Sequence, residues 1–148
     1  MPVVESHMTQ RDLLEVEPPS IPEGSLAMVR HLDLPPGDPG IAPHRHSGPV
    51  FGFMLEGEML FELEGGAPYP VKAGEAFWEP GGDVIHYTVS NLLADSWSRF
   101  VVTMFCPPGV EMITYVDDEE LAAKRPGRVS SADPSAPAGW PSRPATRT

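Results

Sequence analysis

Five histidines are spread through a chain of 148 residues, and two of them, His44 and His46, stand two apart in the string IAPHRHSGPVFGFMLEG. In a β-strand, side chains two apart share a face, so both imidazoles could converge on one ion while Arg45 points away. A third imidazole, His86, stands near the start of the string IHYTVSN, shortly after the turn-forming run PGGD. Three neutral imidazoles brought together would bind a divalent transition metal. Alone, a His-x-His pair is weak evidence, because such pairs in strands are commonly surface groups or hydrogen-bonded polar ones. Glu79, in FWEPGG, has two readings: a solvated carboxylate at a strand end, or an inward group that hydrogen-bonds a ligand imidazole or takes a substrate proton. His31, in MVRHLDL, alternates with Val29 and Asp33; it would reach the interior only if that face turned inward, and a lone strand histidine is more commonly structural or exposed. His7 lies outside the patterned region, and Glu75 reads as surface. No Ser/His/Asp or Cys/His nucleophile set, phosphate loop or zinc-type cysteine pair is present.

These residues must be positioned by strands. Between about residues 25 and 106 the apolar residues come in strand-length runs: SLAMVRHLDL, PVFGFML, EMLFELEG, YPVKAG, AFWEP, IHYTVSN and SRFVVTMFC. Gly, Pro, Asn or Asp separates most of them, which is the rhythm of strands and tight turns in an all-β sandwich or barrel. By this pattern the histidine pair begins the strand that runs on to LEG. Tyr87 and Thr88 flank His86, and one of them faces inward with it by alternation, or neither does if a bulge intervenes. Phe51, Phe53, Met54, Phe61, Phe77, Trp78, Phe100, Met104 and Phe105 supply the core and the lining of any cavity. One helix is predicted, over 117–125 in VDDEELAAKRPG, with Asp117 or Asp118 as cap, acids before Lys124 and Arg125, and Pro126 as stop. The expected organisation is an N-terminal arm (1–24, with TQRDLLEV a helical turn or an extended arm), a β-barrel (25–116), the helix and a Pro/Ser/Ala-rich tail (126–148).

Composition narrows the partners. Ten basic against 21 acidic residues give a formal net charge of -11, which repels phosphate backbones and anionic lipid, so neither nucleic acid nor membrane is expected. No apolar run approaches a membrane span, no leader pattern is visible, and the single Cys106 cannot form an internal disulfide; a cytoplasmic protein is expected. Cys106 reads as a small buried hydrophobe. The tail is net basic and carries one aromatic, Trp140, so it is either disordered or laid against the acidic body.

The histidine pair, the following Gly-terminated strand and, about thirty residues on, Gly74, Pro80, Gly82, His86 and Asn91 resemble the two sequence motifs of the cupin superfamily. The resemblance implies a cupin-type (RmlC-like jelly roll) β-barrel that holds a metal through His44, His46 and His86. Three departures stand out. The family's glutamate ligand falls on Val50, its first glycine falls on Asp38 between Gly37 and Gly40, and the second motif carries one extra residue before His86. Without the glutamate the expected site is three neutral imidazoles around an ion that keeps its full charge. HRHSGPVFGFMLEG followed by AGEAFWEPGGDVIH is similar to the cupin dioxygenases that hold non-haem iron with three histidines, such as the acetylacetone-cleaving and dihydroxyacetophenone enzymes. That resemblance implies Fe(II), with Zn, Mn or Ni as other ions, Glu79 as a second-shell or pocket carboxylate, and cleavage of a carbon–carbon bond in a small carbonyl or enolisable compound. The alternatives are a non-oxidative metal-dependent isomerase, lyase or cyclase, and a non-enzymatic barrel that only binds a small molecule. A homodimer is a family-level expectation, because small barrels expose edge strands that need covering.

Overall fold

The computed structural model describes residues 5–128. Its elements, in chain order, are β1 Leu26–Leu34, β2 His44–His46, β3 Val50–Glu56, β4 Glu58–Leu63, β5 Tyr69–Lys72, β6 Ala76–Glu79, β7 Ile85–Asn91, β8 Ser98–Cys106, β9 Ile113–Tyr115, α1 Asp118–Lys124 and a single 3-10 turn, Arg125–Gly127. Two antiparallel sheets face each other, one of four strands in the order β1-β8-β3-β6 and one of five in the order β5-β4-β7-β2-β9. The fold is the all-β, cupin-type jelly roll with a short C-terminal helix that the sequence implies. Among the described residues no helix is long and apolar enough to cross a membrane.

Strand alternation builds the interior. In β8 every second residue is buried, so Phe100, Val102, Met104 and Cys106 face the opposite sheet. Their cross-strand partners on β3 bring Val50, Gly52 and Met54 to the same face. Gly52 has no side chain for a packing reason: a Cβ there would lie 2.0 Å from Cζ of Phe77, whose ring occupies that space. Phe61, Met59 and Leu63 of β4 complete the apolar floor. Asn91 ties one end of the barrel: its buried amide nitrogen donates to the carbonyls of Leu34, Pro35 and Ser96, and its oxygen accepts from Leu93 N and Ser98 Oγ. In the β1–β2 loop the glycine displaced from Asp38 is not missed, since Gly37 and Gly40 take the left-handed conformations and the Asp38 side chain accepts from Gly40 N.

Two local expectations change, one open choice is settled, and the helix keeps its predicted place. The histidine pair does not begin β3; Ser47, Gly48 and Pro49 separate β2 from β3, and the two lie in different sheets. The corner is forced by packing, because a Cβ on Gly48 would meet the Phe105 carbonyl at 1.8 Å. β9, absent from the predicted pattern, pairs with β2 and gives the histidine strand a neighbour on each side. TQRDLLEV is not helical, although Leu13, Leu14 and Val16 are half-buried along the arm. The helix is capped by Asp117, which accepts from Glu120 N, and ends at Lys124, where Pro126 already belongs to the 3-10 turn. It packs on the outer face of the five-stranded sheet, with Leu121 against Ile85, Tyr87 and Val116. The proposed docking of the tail through Trp140 concerns residues outside those described.

Candidate metal centre

The five-stranded sheet supplies three imidazoles to one spot. His44 on β2 is the cross-strand partner of His86 on β7, and His46 shares the inner face of β2 with His44 while Arg45 turns outward to Glu120 and the Asp83 carbonyl. The turn after β6 fixes this strand, since Gly82 N donates to the His46 carbonyl. Gly81, at φ 75°, lies against Gly48 so closely that a Cβ would come within 2.3 Å of its carbonyl oxygen. On β7, alternation would place Thr88 inside with His86. Instead the pairing slips, with Glu62 opposite Thr88 and Leu63 opposite His86. Tyr87 is therefore the extra residue of a bulge that turns both Tyr87 and Thr88 outward, and the bulge re-aims His86 into the barrel.

The facing sheet supplies a carboxylate. Val50, where the family glutamate was expected, is the cross-strand partner of Glu79 on β6, and cross-strand partners project from the same face. The expectation of three imidazoles without a carboxylate is corrected: the acid stands one strand over, and it is buried rather than solvated. Its Oε1 lies 2.9 Å from His86 Nδ1 and its Oε2 lies 3.4 Å from His46 Nε2. One nitrogen or oxygen from each of His44, His46, Glu79 and His86 falls within 4.8 Å of every other.

Hydrogen bonds fix the direction of the lone pairs. His44 Nδ1 lies 2.8 Å from the Ala42 carbonyl, which can only accept, so Nδ1 carries the proton and Nε2 presents its lone pair to the cluster. His86 is the mirror case: Nε2 donates to the Thr88 carbonyl at 2.9 Å, leaving Nδ1 buried, without a hydrogen bond, and beside Glu79. His44 Nε2 and His46 Nε2 are 3.1 Å apart. Two nitrogens bound to one ion at ~2.1 Å and at a right angle would be about 3.0 Å apart. Imidazoles that donate their far N–H to a backbone carbonyl while aiming the near nitrogen at a common point are held as metal ligands are. The residues present thus fit a metal, and a His44/His46/Glu79/His86 group could bind one.

Electrostatics agree with that fit. Burial, helped by the neighbouring His86, lowers the His44 pKa to about 4. His46 is lowered mainly by burial, against the pull of Glu79 and with help from His86 and Arg30. Burial would raise Glu79, but His86, His46 and His44 outweigh it and hold the carboxyl below its ordinary value. For His44 and His46, neutral imidazoles beside an ionised carboxylate are the protonation states a cation requires.

The cluster opens into a chamber of about 80 Å3 lined by Leu32, Ile41, Phe77, Val89, Phe100 and Ile113 among others, with Arg30 at its edge. A larger cavity, about 240 Å3, lies outside β4 and β7, but its acids and bases are paired with each other as Glu62–Arg128 and Glu64–Lys124. His31 is exposed, 3.6 Å from Asp33, so that face of β1 points out. Arg30 on the opposite face was missed by sequence reasoning, although a charged residue alternating with Met28, Leu32 and Leu34 was the available signal. His7 is exposed and takes no part.

Residues 30–92 match the cupin domain family. No curated protein matches the sequence. Among solved structures the chain is similar to an oxalate oxidase (26% identity, TM-score 0.50, covering 61% of this chain and 46% of that one). It is also similar to the DMSP lyase DddQ from Ruegeria pomeroyi DSS-3 (21% identity, TM-score 0.51, 61% of this chain and 43% of that one). A third likeness is to an RmlC-like cupin from Methanocaldococcus jannaschii with a double-stranded β-helix fold (19% identity, TM-score 0.47, 70% of this chain and 94% of that one). The chain spans less than half the length of the first two. Family match and fold together support placement in the cupin superfamily.

Proposed function

We propose that this cupin is a mononuclear non-haem metal enzyme of the dioxygenase type, cleaving a carbon–carbon bond in a small carbonyl or enolisable compound, with Fe(II) as its ion. The observation that carries the proposal is the convergence of three imidazoles, two of them oriented by backbone carbonyls, and one carboxylate, from opposite sheets, at the wall of an apolar chamber. A bound divalent transition metal would supply Lewis-acid activation of a substrate oxygen and, if redox-active, electron exchange with dioxygen. The protein's own part is separable from that chemistry. His44 and His86 are held in single tautomers by Ala42 and Thr88, so no reorientation is needed when an ion enters. Leu32, Phe77, Val89 and Phe100 keep water from the reacting carbon. Glu79, ionised and buried, balances part of the ion's charge and can accept a proton from the acidic carbon of an enolisable substrate. The likeness to an oxalate oxidase supports an oxidative reaction.

Elemental analysis of protein purified without chelator or histidine tag tests the reading, paired with oxygen-electrode traces on small diketones and aryl ketones. About one iron per chain and substrate-dependent oxygen uptake, both lost in His86→Ala, are expected. A folded protein that takes up no metal would overturn it. The donor set of three nitrogens and one oxygen also suits zinc, manganese and nickel, and Glu79 is a ready base; anaerobic turnover with one of those ions would mark a non-oxidative isomerase, lyase or cyclase instead.

A further inference from the structure

Three arginines lie on strands, and they differ in what they hold. Arg45 on β2 binds Glu120, and Arg99 on β8 binds Glu56 and Asp33. Arg30 on β1 has no carboxylate partner among the described residues; its one polar contact is a long one, 3.9 Å, to Met28 Sδ. In a chain with 21 acidic and 10 basic side chains, a strand arginine without an acid beside it needs a reason.

Its position gives one. Arg30 is the cross-strand partner of Val102, and its inward neighbours Met28 and Leu32 partner Met104 and Phe100. All three partners face the interior, so Arg30 projects over the same chamber as the histidines. The residue is exposed, which places its guanidinium at the chamber's mouth, while its charge is felt at His46 within. Among the residues lining the chamber, Arg30 is the one permanently charged cation; the other polar groups are the four of the donor cluster and the rest is apolar.

We propose that Arg30 is the anion anchor of this site and that the substrate is a small carboxylate, its carboxylate gripped by the guanidinium and its carbonyl end turned to the donor cluster. A guanidinium offers a planar fork matched to a carboxylate. The chamber, about 80 Å3 and open at its mouth, favours a compact ligand. A short oxo acid fits both ends; a diketone of the same length lacks the group Arg30 would hold. This rests on the metal-enzyme reading for the role of the carbonyl end, but the anchor itself does not require the ion.

The test uses full-length protein reconstituted with redox-inert zinc and two near-isosteric probes, acetoacetate and acetylacetone, titrated calorimetrically into wild type, R30Q and R30K. R30Q is expected to weaken acetoacetate by about ten- to a hundredfold, as for loss of a charged hydrogen-bonded pair, while acetylacetone changes less than about twofold; R30K falls between. Because Arg30 is exposed, R30Q should melt with the wild type, and the melting curve is recorded on the same samples. Equal weakening of both probes, no change in either, or no binding of acetoacetate to wild type would overturn the anchor. Zinc content separates the two ideas: one zinc per chain with no Arg30 dependence sinks the anchor alone, whereas Arg30-dependent acetoacetate binding without zinc sinks the metal reading alone.

Discussion

Two polar clusters lie back to back across β7, and they are built to opposite rules. On the outer face Glu62 is almost inaccessible, yet both its oxygens are satisfied: Arg128 donates to each of them and Thr88 donates to Oε2. The same guanidinium covers the ring of Tyr87 at 4.4 Å, and Lys124 reaches Glu64. On the inner face, one residue along β7, His86 Nδ1 and His46 Nδ1 are buried without hydrogen bonds, and nitrogens of His44, His46 and His86 converge with the Glu79 carboxylate on one point. A satisfied buried network fastens the C-terminal turn to the sheet; an unsatisfied one whose acceptors converge has left room for a cation. The contrast shows why burial of charge alone does not mark a site. What marks it is the acceptor surplus.

The sharpest way to break the comparison is to remove an inner imidazole. His86→Ala or His46→Ala should abolish stoichiometric metal, seen by elemental analysis, with activity falling at least ~100-fold, because a first ligand contributes more than the ~10–100-fold of an outer-sphere partner. Neither change should loosen the metal-free fold as much as it costs metal binding, since each removes a buried group that lacked a full set of partners. Glu79→Gln keeps the shape and removes the charge; metal affinity should drop by about 10–100-fold, measured by competition with a chelator, and unchanged affinity would make Glu79 a bystander. Arg128→Ala probes the outer cluster. It should cost roughly 1–2 kcal/mol in denaturant unfolding, less than a fully buried pair because Arg128 is part exposed, and leave metal content untouched.

Much of this was legible in the sequence, for local reasons. β8 is a strand-length apolar run and β4, β5 and β6 are bounded by Gly-containing turns, so their existence follows from run length and punctuation. Asp117 and the acids behind it announce α1. The three histidines were visible as spaced residue types on strands. What escaped was set by register. That Glu79 stands beside Val50 and faces the three histidines depends on the β3–β6 pairing across an intervening hairpin, and no local signal carries a cross-strand partner. The bulge at Tyr87 follows from the β4–β7 slip. Arg30 went unseen because which face of edge strand β1 meets β8 is set by pairing, and both faces mix polar and apolar residues. Ser47-Gly48-Pro49 read as a strand interior because the requirement for a corner comes from Phe105, distant in sequence.

The smallest effect is also the one that ties the two clusters to pH. In metal-free protein His44 keeps a pKa of about 4, against 6.5 for the ordinary residue. As pH falls below 6.5 the unfolded chain takes up this proton while the folded chain resists until about 4, so stability is full above the first value and is lost through the window between them. His46, also lowered, adds in the same sense. Between pH 7 and pH 5.5 the loss from His44 alone is on the order of 1 kcal/mol. Glu79, held below its ordinary value, contributes only at more acid pH. Chemical unfolding of metal-free protein across this range should therefore show a decline that His44→Asn flattens and that Arg128→Ala does not. Saturating metal should add stability throughout and steepen the acid decline, because protons and the ion then compete for the same lone pairs. A metal-free profile flat from pH 7 to 5.5 would mean that the inner imidazoles are not held neutral by burial, and the distinction between the two clusters would lose its electrostatic half.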